Sequence, residues 1–199
     1  MIKVLFVCHG NICRSPMAEF VMKDLVAKAG RSDEFEIASV AVSCEELGNP
    51  VYPPARRELA SHGIDCHGHI ARQITAEDLA HFDRIYYMDS ANARYLHRLF
   101  GDRADKCQPL LDRDVAATWY YGNFDQTYRD VLAGCHRILE ELTWKMKANF
   151  WNNSRTCPCI STPLWMGKNW NSRNASATYA STSVPCTAKP GPVRPGWER

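Results

Sequence analysis

Val4-Leu5-Phe6-Val7-Cys8-His9-Gly10-Asn11-Ile12-Cys13-Arg14-Ser15-Pro16-Met17-Ala18-Glu19 is the stretch on which the fold turns. Its first four residues are an unbroken apolar run, as expected of a central parallel strand covered on both faces. Pro16 to Glu19 reads as the first turn of a helix. A strand, a tight loop and a helix N-terminus in that order aim backbone N–H groups and a helix dipole at one point, which makes an anion cradle. Cys8 opens the loop and Arg14 closes it. The N–H dipoles and the guanidinium favour the Cys8 thiolate, and the planar fork of Arg14 can hold two oxygens of a phosphoryl group. Gly10 lets the backbone approach an anion closely, and Asn11 suits a left-handed conformation. Ser15 is expected both to cap the helix and to donate to the Cys8 sulfur, with Pro16 in the first helical position. Such a set supports phosphoryl transfer through sulfur.

The flanking sequence alternates between strand and helix patterns, the plan of an α/β domain. Met17, Phe20, Val21 and Leu25 recur at helical spacing, and Glu36 to Val42 reads as a second strand. Pro54 to His62 makes a short helix stopped by Gly63. Thr75 caps another helix. Asp83 to Met88 is a third strand, Ser90 to Phe100 a helix, and Lys106 to Leu111 a fourth strand. Tyr128, Val131, Leu132, Cys135, Ile138, Leu139 and Leu142 form one stripe on a terminal helix from Asp125 to Leu142. In such a sheet a ligand sits beyond the carboxyl ends of the strands, where the loop after Val7 falls.

Val7-Cys8-His9-Gly10-Asn11-Ile12-Cys13-Arg14-Ser15-Pro16 resembles the active-site signature of the low-molecular-weight protein tyrosine phosphatases. The likeness continues through Gly48-Asn49-Pro50-Val51-Tyr52-Pro53-Pro54-Ala55, His62-Gly63-Ile64, Ala71-Arg72-Gln73-Ile74-Thr75 and Met88-Asp89. It covers Ile2 to about Leu142 and is strongest with the bacterial branch. It implies a four-stranded parallel sheet flanked by helices and a cofactor-free, metal-free hydrolase acting through a phosphocysteine at Cys8. The loop His9, Gly10, Asn11, Ile12, Cys13 and Ser15 would hold the phosphate. Ser39 and His69 would join Asn11 and Ser15 in a supporting polar network, and Trp119 and Tyr120 would wall a slot for phosphotyrosine. A phosphoarginine-specific branch usually carries Thr where Ile12 stands, so Ile12 favours tyrosine. A related arsenate reductase needs two closely spaced late thiols; no cysteine lies between Cys66 and Cys107, which makes that activity remote.

One departure from the family pattern bears on mechanism. The family's general acid sits in an Asp-Pro pair, and aligning on Trp119-Tyr120 and Gly122 puts Ala117 and Thr118 there. A phenolate leaving group has a pKa near 10, so its departure without a proton is slow at neutral pH. Losing one positioned acid removes about 10²–10⁴ in rate. Asp114, three residues upstream, is the candidate substitute; Asp125 opens the next helix as a first-turn acid. Two activities follow from this pattern: a slow phosphatase that favours good leaving groups, or a phosphotyrosine-binding module that acts as a natural substrate trap.

Composition divides the chain at about Thr143. Residues 1–143, the phosphatase-like domain, hold 16 basic and 21 acidic residues, whereas 144–199 hold eight basic residues against Glu198 alone. Five of the six tryptophans fall in that second part, among Asn, Ser, Thr and Pro, a composition poor at building a core. It reads as a disordered appendage. Binding of an anionic surface, or of a metal at Cys157, Cys159 and Cys186, are the weaker alternatives.

Met1-Ile2-Lys3 leads straight into the first strand, so no signal peptide is expected, and no run has membrane-spanning length. Nine cysteines around a nucleophile that must stay reduced point to the cytoplasm. Cys13 is either a reversible disulfide partner for Cys8, as the resemblance implies, or a small buried hydrophobe. His69 is expected to orient the loop and His9 to line the pocket mouth; the other histidines lack metal-ligand spacing. A phosphotyrosine-bearing protein or small aryl phosphate is the expected partner of a monomer, with no nucleic acid.

Overall fold

The computed structural model describes the backbone of residues 1–116 and 122–153, with side chains up to residue 142. The expectations placed on Ala117, Thr118, Trp119, Tyr120 and Cys157, Cys159 and Cys186 lie outside these residues, as does the appendage beyond 153.

Among the described residues, nine elements follow in the order β1 (Ile2–Cys8), α1 (Arg14–Lys28), β2 (Phe35–Ala41), α2 (Pro53–Ser61), α3 (Ala76–His81), β3 (Arg84–Tyr87), α4 (Ser90–Phe100), β4 (Cys107–Pro109) and α5 (Phe124–Asn153), with short 3₁₀ turns at Ser32–Glu34 and Gly101–Lys106. The four strands form one sheet in the order β2-β1-β3-β4. Every pairing is parallel, with Leu5 opposite both Ala38 and Ile85. β1 is thus central, and Val4 to Val7 are fully buried.

Successive side chains of a strand point to opposite faces, and β1 divides the core accordingly. Val4, Phe6 and Cys8 join Met17 and Val21 of α1 and Val131 and Ile138 of α5. Leu5 and Val7 join Leu79 of α3, Ile85 and Leu96 of α4. Each fully buried aliphatic side chain contributes about 1.5–3 kcal/mol. These two layers hold the carboxyl end of β1, and therefore Cys8, in a fixed place.

Local chemistry sets the element ends. α2 stops at a Schellman motif: Gly63 (φ +74°) donates to Ala60 O and Ile64 to Leu59 O, both at 3.0 Å. α3 opens with a capping box between Thr75 and Asp78. β4 spans only Cys107–Pro109, shorter than the expected Lys106 to Leu111, because Gly101–Lys106 coils and Pro109 has no N–H for the ladder. α5 runs to Asn153, past the compositional break at Thr143. At Gly134 it comes so close to Leu110 that an added Cβ would lie 2.6 Å from Leu110 Cγ.

α1 corrects one expectation. The helix starts at Arg14, with Cys13 as its N-cap and no side-chain capping bond. Ser15 lies inside the first turn, where its hydroxyl faces Cys8 Sγ at 3.0 Å and Val40 O at 3.3 Å. Ser15 is thus the second helical residue rather than the cap, and Pro16 is the third rather than the first.

Candidate active site

Cys8 ends β1, and the chain then turns over itself to enter α1. The turn is made at Asn11, whose φ of +58° is the one positive value at a non-glycine residue among the described residues. That conformation places the Asn11 N–H 3.3 Å from Cys8 Sγ. Ser15 Oγ approaches the same sulfur at 3.0 Å. Cys8 Sγ therefore receives two donors, one from its own loop and one from the first turn of α1.

The Asn11 side chain holds the strained turn from all sides, which is what a left-handed non-glycine residue requires. Its Nδ2 donates to Ser15 Oγ at 3.0 Å and to Ser39 Oγ at 2.8 Å. Its Oδ1 accepts the Arg72 N–H at 3.2 Å, and its carbonyl lies 2.9 Å from His69 Nε2. Ser39 in turn donates to Glu19 Oε2 at 2.6 Å. His69 Nδ1 is 3.8 Å from the same oxygen, and Lys23 Nζ is 2.5 Å from Oε1. Three segments of chain thus meet at one asparagine: α1, β2 and the stretch 69–72. Glu19, 8% exposed, is the hub that the sequence analysis did not single out.

Arg14 is positioned by a partner also missed at that stage. Its Nη1 donates to Asp89 Oδ2 at 2.6 Å, with side chains 11% and 16% exposed. Asp89 sits just after β3 and also caps α4 by accepting the Asn92 N–H at 2.7 Å. An aspartate ahead of an apolar helix is legible as a cap; its reach across the sheet to Arg14 requires the β1–β3 register.

His9 faces outward, 3.0 Å from Glu45 and edge-on to Tyr95. Gly10 is pressed against Glu46, where an added Cβ would lie 2.9 Å from Cγ. Ile12 and Cys13 are buried, and Cys8 and Cys13 are both free thiols. Away from the loop, burial pushes the Cys107 thiol up to about 11 and raises Cys66 and Cys135 as well, so these remain neutral thiols near pH 7. Asp114 is engaged elsewhere: Oδ1 accepts the Ser90 N–H at 3.0 Å and Oδ2 the Ser90 hydroxyl at 3.1 Å. Among the described residues no cluster of His, Cys, Asp and Glu could hold a metal ion.

A family model described as low molecular weight phosphotyrosine protein phosphatase matches residues 3–149. The chain belongs to that family. The low molecular weight protein-tyrosine-phosphatase YfkJ of Bacillus subtilis is 37% identical over 150 residues, covering 71% of this chain and 96% of its own. The low molecular weight phosphotyrosine protein phosphatase of Rattus norvegicus is 40% identical over 150 residues, covering 69% and 94%. The crystal structure of YfkJ superposes with a TM-score of 0.70 at 36% identity, over 73% of this chain and 96% of that one. The expected four-stranded parallel phosphatase fold and the phosphotyrosine phosphatase family are therefore established for this chain. No helix among the described residues is long and apolar enough to cross a membrane.

Proposed function

We propose that this phosphatase hydrolyses phosphotyrosine through a phosphocysteine on Cys8, and does so slowly because it lacks the family's general acid. The observation that carries the mechanism is the pair of donors on Cys8 Sγ, from Asn11 N–H and Ser15 Oγ, at the mouth of a loop closed by Arg14. In the first step the thiolate attacks phosphorus, an S–P bond forms and the P–O bond to the tyrosine breaks. In the second step water attacks the phosphocysteine, the S–P bond breaks, and inorganic phosphate leaves with the thiolate restored. Arg14 stabilises the charge on the transferring oxygens in both steps.

The weak point is the proton for the departing phenolate. Ala117 and Thr118 cannot supply it, and both oxygens of Asp114 are held by Ser90. The phenolate must then leave unprotonated, which favours substrates with acidic leaving groups. A monomer acting in the cytoplasm on a phosphotyrosine-bearing protein or small aryl phosphate fits this reading. The second reading, a phosphotyrosine-binding module, rests on the same lost acid combined with a complete cradle.

The test compares turnover of a phosphotyrosine peptide by the native chain and by the Ala117→Asp, Thr118→Pro double variant, with Cys8→Ser as blank. A rise of about a hundredfold or more is expected. Equal and substantial rates would show that another group already supplies the proton.

A further inference from the structure

A cleft of about 700 Å³ lies between α2 and the start of α5, lined by Tyr52, Pro54, Arg57, Glu58, Phe124 and Asp125 among others. Its volume is that of a site for a small ligand or a few side chains. The Tyr52 and Phe124 rings stand 6.0 Å apart at 36° and form an aromatic shelf. The cleft is one hydrogen bond from the phosphate loop, because the Tyr52 N–H donates to Ile12 O at 2.8 Å.

The charges lining it are unequal in their commitments. Glu58 lies 3.2 Å from His62 Nε2, and Asp125 accepts Arg129 Nε at 3.1 Å within a two-pronged pair. Arg57 is exposed and has no carboxylate partner among the described residues. Arg57 is the one Lys or Arg on the lining, and its planar fork matches a carboxylate. Other candidates carry less: Lys23 belongs to the loop network already described, and Cys44 is a lone exposed thiol.

We propose that this cleft is a subsite for an acidic side chain of the peptide that bears the phosphotyrosine, with Arg57 as its anchor and the Tyr52–Phe124 shelf supporting the peptide's aliphatic carbons. The proposal rests on the phosphotyrosine reading above. It assigns to Arg57 a preference among substrates and no part in the chemical step.

The test uses binding, so that slow turnover does not obscure it. Peptides carrying a non-hydrolysable phosphonate analogue of phosphotyrosine, flanked by either Glu or Gln within three residues, are titrated onto the native full chain. The Glu peptide is expected to bind about two- to fivefold more tightly, the scale of one exposed ion pair. Arg57→Ala should abolish that preference and Arg57→Glu reverse it, while phenylphosphonate binds all three proteins alike. No preference in the native chain, or one that survives in Arg57→Ala, overturns the subsite. Failure of every ligand to bind, phenylphosphonate included, overturns the phosphotyrosine reading and the subsite with it.

Discussion

Arg14 and Asp89 form a 2.6 Å ion pair that spans the sheet from the end of the phosphate loop to the start of α4. The carboxylate fixes where the guanidinium points before any phosphate meets it. Replacing Asp89 by Asn keeps a capping side chain for α4, since Asn caps about as well as Asp, and so isolates the ion pair. Asp89→Asn is expected to lower kcat/KM for an aryl phosphate by about ten- to a hundredfold through loss of aim. An unchanged kcat/KM would show that Arg14 is positioned by its loop alone.

The bond from Ser15 to the Cys8 sulfur bears on the second chemical step, in which the thiolate is the leaving group. With p-nitrophenyl phosphate, whose leaving group needs no proton, Ser15→Ala should slow phosphocysteine hydrolysis by about tenfold or more. A pre-steady-state burst of nitrophenolate approaching one per site is the expected signature. Linear release with a native rate would count against this role.

Asp130 anchors the chain just before the aligned acid position. It accepts both Nη atoms of Arg113, at 2.8 and 2.6 Å, the Gln126 side chain at 2.8 Å and the Ala116 N–H at 3.4 Å. Burial raises its pKa, but the bonds from Arg113, Gln126 and Ala116 together outweigh burial and hold it below the ordinary carboxylate range. A depressed folded-state pKa gives stability that is complete above the unfolded value, near 3.9, and is lost as pH falls through the folded value. Thermal melts should therefore show a steep fall in Tm below about pH 4, shallower in Asp130→Asn. Asp78, depressed in the same sense by Arg72 and Thr75 against its own burial, leaves a residual slope in that variant. Parallel Tm–pH curves for native and variant would remove Asp130 from the account.

Gly134 tests the packing of α5 against the segment after β4. Glycine in a helix costs about 1 kcal/mol relative to alanine, so on an open face Gly134→Ala would stabilise. Here the new methyl meets Leu110, which is fully buried. Overpacking of about 1–3 kcal/mol is expected to dominate, and Tm should drop. Pairing the change with Leu110→Ala should recover part of the loss, whereas a raised Tm in the single variant would refute the clash.

Local chemistry made much of this fold legible. The apolar run Val4 to Val7 announces a central strand, Thr75 a capped helix and Gly63 a helix stop, because each depends on neighbours within a few residues. Asn11 was identifiable as left-handed for the same reason. Glu19 and Asp89 were not, although both stood in stretches already quoted. Their importance lies in partners 20 and 75 positions away, Ser39 and Arg14, and only strand register brings those together. Ser15 was half legible: its expected bond to the Cys8 sulfur is formed, but α1 begins one residue earlier, at Arg14, so Ser15 lies inside the first turn and does not cap it.

The convergence on Asn11 has an evolutionary reading. The phosphate loop is secured by Ser15 of α1, Ser39 of β2 and His69 and Arg72 of one connecting stretch. The family's general acid, by contrast, is a single side chain. A descendant can lose most of its rate by changing that acid alone, but must change several residues before the loop comes apart.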